Sequence, residues 1–249
     1  MGAFEHSSFA DDYTRLRTPP AHALAAYRDA AAELIALSPG SAVADAGAGT
    51  GLFSAMLLEA GATRVYAIEP AAEMARALRQ QVSAEALSVI QVPLPLQTPL
   101  TDVGLVWVSD VGHLFAGAEA FLEALDSSFP RASTILIRQT SPTILALADW
   151  VPLFPEAFTL DSARHFEVGF LLAAAKRRGW RARSVELVDE TRQLSSADYL
   201  AYYRRRPFSG LHLISDAQFA AGISKIEALP EAPRRARVIY RWLYCLDRG

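Results

Sequence analysis

Apolar residues recur along the first 140 positions in two alternating rhythms. Nearly continuous apolar or small-residue runs at 42–46, 65–69, 88–92, 103–109 and 133–139 alternate with stretches such as 21–37, where Leu24, Tyr27, Ala31, Leu34 and Ile35 return every three or four residues. The first rhythm predicts strands buried on both faces; the second predicts amphipathic helices, over 21–37, 51–60, 71–82 and 118–129. Ser38-Pro39-Gly40 and Gly61 stop two of these helices. Strands that alternate with helices predict a parallel sheet covered on both faces, with ligands at the carboxyl ends of the strands.

After position 140 the rhythm changes. A long connection, 141–160, carries Trp150, Pro152, Phe154 and Pro155. A helix over 162–178 ends at Gly179, and 183–188 reads as a strand. Two further helices, 196–206 and 216–228, flank Pro207-Phe208-Ser209-Gly210, and 238–246 reads as a closing strand paired antiparallel with 183–188. The whole predicts an α/β fold, a doubly wound seven-stranded mostly parallel sheet with a C-terminal antiparallel hairpin and a helical lid. We expect a single domain: an N-terminal arm and helix over 1–40, a ligand-binding core over 41–140, and a substrate lid with closing strands over 141–249.

The chain turns on Val43-Ala44-Asp45-Ala46-Gly47-Ala48-Gly49-Thr50-Gly51, a strand end that runs into alternating glycines and then into a helix. Glycine lets a backbone approach a ligand closely, and a helix opens with unpaired N–H groups. The dinucleotide fingerprint G-x-G-x-x-G fails, because Leu52 stands where its third glycine belongs. Asp45, two residues ahead of the first glycine, would repel a pyrophosphate but attract the ammonium of an amino-acid ligand. Glu69, 20 residues after Gly49 at the end of the second strand, stands where a carboxylate accepts from ribose hydroxyls. A ribose and a cationic amino-acid end, without phosphate, describe S-adenosylmethionine better than NAD.

The pair VADAGAGTG and VYAIEPAAEM resembles motifs I and II of the class I S-adenosylmethionine-dependent methyltransferases of the small-molecule type, over about residues 9–140. The resemblance implies a Rossmann-like methyltransferase fold and methyl transfer by in-line displacement to an oxygen, nitrogen or carbon nucleophile, leaving S-adenosylhomocysteine. It implies cofactor contacts from Asp45, Gly47, Ala48 and Gly49, ribose contacts from Glu69, and adenine packing from Pro70, Met74, Val92 and Pro93. Tyr13 would close over the methionine end, with Ser109 and Asp110 beside it. In the loop 91–96 the family's usual acid is missing, so adenine recognition is expected from backbone and packing. The run Ser109-Asp110-Val111-Gly112 lacks the D/N-P-P-Y of adenine and glutamine methylases and argues against those acceptors. His113 matches a histidine found in many small-molecule members, a candidate base or loop anchor. Arg138, Trp150 and Tyr202 are the expected substrate contacts. The alternatives are a methyltransferase-fold protein that binds a ligand or partner without transfer, or one that uses the cofactor in a non-methylating reaction such as a cyclisation.

Composition narrows the partners. A net charge of −3 offers no general attraction for nucleic acid or an anionic membrane. One cysteine, Cys245, fits a reducing, cytoplasmic setting. No secretory leader or membrane span is expected, and five scattered histidines give no metal pattern. A monomer or homodimer acting on a small molecule is the expected state.

Overall fold

The computed structural model describes residues 16–83, 85–236 and 240–248. Its centre is a seven-stranded sheet in the order β3-β2-β1-β4-β5-β9-β6. The strands are β1 (Ala42–Ala46), β2 (Val65–Ile68), β3 (Leu87–Ile90), β4 (Val103–Ser109), β5 (Thr134–Gln139), β6 (Arg181–Asp189) and, past a two-stranded outlier, β9 (Tyr240–Asp247). β9 is antiparallel to both of its neighbours, β5 and β6, while the pairs from β3 through β5 are all parallel. Pairing with β5 puts Tyr244 opposite Ile137, and pairing with β6 puts it opposite Val185.

Strand residues alternate between two apolar layers, as the two-residue period of a strand requires. Val106, Val108, Ile135 and Ile137 face a cluster that holds Phe121, Leu122, Leu171 and Trp180. Leu105, Trp107 and Leu136 face the opposite cluster with Tyr27, Met56 and Leu57. The helices that cover the sheet are α1 (Ala21–Leu37), α2 (Leu52–Glu59), α3 (Ala72–Gln81) and α4 (Ala118–Ser128). In α1, Ala23, Tyr27, Ala31 and Leu34 are buried at spacings of three and four, one stripe of the helix.

The second half departs from the sequence expectation in three places. The connection 141–160 contains two short helices, α5 (Pro142–Leu145) and α6 (Pro155–Ser162), each opened by proline in its first turn, where a missing N–H costs nothing. The helix expected from 162 begins only at Val168, as α7 (Val168–Arg177), because Glu167 is in an extended conformation at its start. The helices α8 (Ser196–Arg204) and α9 (Asp216–Glu227) are bracketed by a small ladder, β7 (Arg192–Leu194) with β8 (Arg234–Ala236), that three-residue segments do not announce.

Helices α5, α6, α8 and α9 share an apolar cluster of their own around Trp150, Phe154, Tyr203 and Phe208. Tyr199 and Tyr203 donate to the half-buried Asp149 at 2.6 and 3.0 Å, so its carboxylate is met. Phe154 stacks on Phe219 and lies against Gly222 of α9 so closely that a Cβ there would fall 2.0 Å from a ring carbon.

Gly222→Ala is therefore expected to cost about 1–3 kcal/mol despite alanine's better helix propensity. Differential scanning calorimetry should show the midpoint lower by about 3–10 °C; an unchanged midpoint would mean that α9 is not seated on Phe154.

Candidate active site

The strand order reverses between β1 and β4, and in open α/β sheets the crevice at such a switch takes the ligand. Two loops leave the sheet there: 47–51 after β1 and 110–114 after β4. The first is held down by Gly47 N and Ala48 N, both donating to the Ile68 carbonyl at 2.9 Å. Gly47 has φ +84°, and a Cβ on it would lie 2.3 Å from Val111 of the second loop. Gly49 has φ +56° and faces open space, with no atom within 4 Å of an added Cβ. The loop thus packs on its neighbour at one glycine and opens to a ligand at the next.

A first cavity lies over this loop. Its walls include Gly47, Ala48, Gly49, Ser109, Asp110, Arg138 and Arg17. A second is lined by Asp110, His113, His165, Asp161, Trp150 and Arg17 among others. Arg17 and Asp110 belong to both walls, so the two cavities abut at that pair.

Glu69 is 8% exposed and stands beside the loop, its two oxygens accepting from Gly49 N and Ala71 N at 2.8 Å each. Burial raises its pKa, and those two backbone N–H groups act against the rise. Asp45 is 1% exposed and does not line the first cavity; one oxygen accepts from Ser54 Oγ at 2.6 Å, and the other is buried with no hydrogen-bond partner. Burial pushes Asp45 up to about 7, against the pull of the Ser54 hydroxyl. The carboxylate expected at a ligand ammonium thus has one oxygen engaged by Ser54 in the first turn of α2 and the other buried and unpartnered, outside the lining of the first cavity.

Asp110 is different. It sits at φ +53°, and Arg138 Nη1 and Arg241 Nη2 approach one of its oxygens at 2.7 and 3.1 Å. Burial alone would raise its pKa, but Arg241 and Arg138 outweigh it and hold the carboxyl far below the ordinary range. Its other oxygen is buried without a hydrogen-bond partner.

Arg138, expected at the substrate, lies beneath the first cavity, 2% exposed. Burial works against its charge, while Glu190 and Asp110 more than compensate. It donates through Nε to Glu190 at 2.8 Å and through Nη1 to Ser109 Oγ at 2.9 Å, so it is a floor and not a free hand. Trp150 lines the second cavity. Tyr202 does not; it is packed edge-on against Tyr203 in the helical layer, because the α8 face that carries it points into that core. Pro70, Val92 and Pro93 are exposed at the ends of β2 and β3, and Met74 is half-buried on α3. Tyr13 lies outside the described residues.

His113 occupies a short 3-10 turn, Gly112–Leu114, and its ring lies 5.1 Å from that of His165. Burial, then the neighbouring His165, push His113 down to about 4. His165 is lowered too, by burial, with Asp161 and Asp110 acting against the shift. Sequence reading passed over Arg17, Asp161, His165, Glu190 and Arg241; each stands alone in its segment, with no spacing pattern to mark it. Among the described residues no group of three or more His, Cys, Asp and Glu side chains is placed to hold a metal ion, and no helix is long and apolar enough to cross a membrane.

Residues 44–127 match the family model described as a methyltransferase domain. This stretch resembles a methyltransferase domain. It contains the glycine loop, Glu69 and the loop after β4. Solved structures share the wider fold. One, from Anabaena variabilis and described as a methyltransferase from an antibiotic biosynthesis pathway, has 22% identity and a TM-score of 0.67 over 92% of this chain and 98% of that one. A second, an S-adenosylmethionine-dependent methyltransferase from Geobacter sulfurreducens in complex with S-adenosylhomocysteine, has 15% identity and a TM-score of 0.63 over 99% of each chain. A third, a cyclopropane synthase from Mycobacterium tuberculosis, has 12% identity and a TM-score of 0.59 over 97% and 95%. No curated protein matches the chain. The likeness extends beyond the methyltransferase domain into α5–α9, where it is one of fold alone.

The raised pKa of Asp45 has a consequence for folding. Unfolded, the group ionises near 3.8; folded, near 7. Between those values the folded state holds a proton that the unfolded chain has released, so this group's contribution to stability falls as pH rises through the window. Urea unfolding at pH 5 and pH 8 should show Asp45→Asn gaining on the wild type at the higher pH. Parallel curves for the two proteins would mean that Asp45 is ionised throughout.

Proposed function

We propose that the protein transfers a methyl group from S-adenosylmethionine to an oxygen, nitrogen or carbon nucleophile of a small molecule held in the second cavity. The observation that carries this reading is the pair of cavities abutting at Arg17 and Asp110. A cofactor over the glycine loop and an acceptor in the neighbouring cavity would bring their reactive ends to one junction, and such positioning supplies most of what a methyl transfer needs.

The residues present fit that cofactor. Gly49 leaves its backbone open to the methionine end, and Glu69, fixed by two N–H groups, keeps lone pairs for the ribose hydroxyls. Gly47 and Ala48 shape the loop, while Pro70, Met74, Val92 and Pro93 offer the apolar surface for adenine. The unpartnered oxygen of Asp110 and the hydroxyl of Ser109 border the same cavity. When bound, the cofactor supplies an electrophilic methyl on a sulfonium. The chain's own part is to hold the acceptor in line, with Arg138 and Arg241 fixing Asp110 and Trp150 walling the acceptor's cavity. The Geobacter relative, which binds S-adenosylhomocysteine, supports the cofactor assignment.

Glu69→Ala is expected to raise the dissociation constant of S-adenosylhomocysteine about 10- to 100-fold, the loss of a charge-assisted hydrogen bond. Isothermal titration calorimetry reads this directly. An unchanged constant would place the ribose elsewhere.

A further inference from the structure

One connection, from the end of β5 to the start of α6, gives the second cavity three of its lining residues: Thr140, Leu145 and Trp150. The connection is held by its own polar groups. Ser141 caps α5 by accepting from Ile144 N at 3.4 Å. Thr143 donates through its backbone N–H and its hydroxyl to Glu167 at 3.0 and 2.8 Å, which ties the connection to the start of α7. Trp150 lies against Phe208, another lining residue, with ring centres 4.6 Å apart at a tilt of 36°. None of this uses the Thr140 hydroxyl or the Trp150 N–H. Thr140 is 3% and Trp150 0% exposed, and Thr140 Oγ1 and Trp150 Nε1 are both buried with no hydrogen-bond partner. Buried polar groups are nearly always paired, so two such atoms on one cavity wall point to an oxygen of the ligand.

We propose that Thr140 and Trp150 form a carboxylate subsite, so that the methyl acceptor is a small carboxylic acid held by its carboxylate against the Thr140 hydroxyl and the Trp150 N–H. This rests on the methyltransferase reading and names the acceptor class for the same site. An indole N–H donates and cannot accept, so its partner is a lone pair and never an ammonium. With the Thr140 hydroxyl donating as well, two donors match the two oxygens of one carboxylate. Leu145, Phe208 and the face of Trp150 offer the acid's carbon skeleton an apolar wall.

The charges on the rest of the wall admit an anion. Asp110 is met by Arg138 and Arg241 at 2.7 and 3.1 Å. Asp161 is pinned by Arg164, which also donates to Ser209 Oγ at 2.9 Å. Neither carboxylate therefore turns an uncompensated charge on the cavity. Arg17 and Arg241 are themselves lining residues, so an entering carboxylate stands near guanidinium, in a space where water screens the attraction little. A neutral amide of the same shape could reach the same two donors through its carbonyl. A hydrogen bond to an ionised acceptor is the stronger one, so the subsite prefers the acid to its amide.

Isothermal titration calorimetry of the full chain, first with S-adenosylhomocysteine and then with benzoate on the loaded protein, reads the subsite without turnover. Benzoate should bind about 10-fold tighter than benzamide, and benzylamine should not bind. Thr140→Val keeps the shape of the side chain and removes the hydroxyl; it should weaken benzoate about 10-fold. Trp150→Phe keeps a ring against Phe208 and removes the N–H, with a loss of about the same size. Thr140→Val, the milder variant, decides the matter should Trp150→Phe fail to fold. Benzoate affinity unmoved in Thr140→Val, in a protein that still binds S-adenosylhomocysteine, overturns the subsite and leaves the methyltransferase reading standing. Equal affinities for benzoate and benzamide overturn the acid as the acceptor class. Failure of the wild type to bind S-adenosylhomocysteine overturns the methyltransferase reading, and the acceptor role of the subsite with it.

Discussion

A buried guanidinium organises this molecule. Arg138 carries its charge out of β5 into a space where it is 2% exposed, and an unmet charge there would cost several kcal/mol. Every element that borders the site answers it. Glu190, 0% exposed after β6, takes Nε and Nη2; Ser109 and Asp110 at the end of β4 take Nη1; Tyr27 of α1 and Phe53 of α2 place their rings 5.3 Å from the guanidinium carbon. Tyr27 also donates to Glu190 at 2.7 Å, and Arg241 of β9 joins at Asp110. Segments more than 200 residues apart in sequence are thus tied to one cation. Ion pairs of this kind add little to stability over an apolar replacement, but breaking one is expensive, so their value lies in specifying one arrangement. Here that arrangement is the floor of the first cavity and the wall between the two.

Two carboxylates show how the same residue type acquires opposite roles at the ends of adjacent strands. Asp45 is next to last in β1 and Asp110 follows β4, and these parallel strands put Asp45 opposite Trp107. Asp45 has a hydroxyl for company and no cation within its hydrogen bonds, so burial dominates and the neutral acid is favoured. Asp110 has two guanidiniums and stays ionised. Sequence position pointed to Asp45 as the carboxylate that meets a cationic ligand end. The environment assigns the permanent charge to Asp110, which is also the residue that reaches both cavities.

The sheet could be read from the chain because a doubly covered strand must be apolar on both faces, and such runs are hard to mistake. The strand 103–109 and the helix 21–37 coincide with β4 and α1 to the residue. The glycine loop was legible for a related reason: positive φ at Gly47, Gly49 and Gly51 leaves glycine as the residue that fits without strain. The second cavity was legible only at His113 and Trp150. Its residues come from the N-terminal segment, the turn after β4, the end of α6 and β9, and nothing local links Asp161 or His165 to His113. Glu190 is one acid in Asp189-Glu190-Thr191, unremarkable until β6 and β9 bring it under Arg138. Sequence order carries local periodicity well and tertiary convergence hardly at all.

Charge accounting across the junction joins these features. A sulfonium loses its positive charge when its methyl leaves, and in a poorly solvated space such a change matters more as the local dielectric falls. Asp110 borders both cavities, and Asp161 lines the second, so fixed carboxylates stand close to where that change occurs. Arg241 and Arg138 keep Asp110 ionised, and burial lowers the pKa of both His113 and His165. Each part of the arrangement is a condition for the next, starting from the cation that β5 buries.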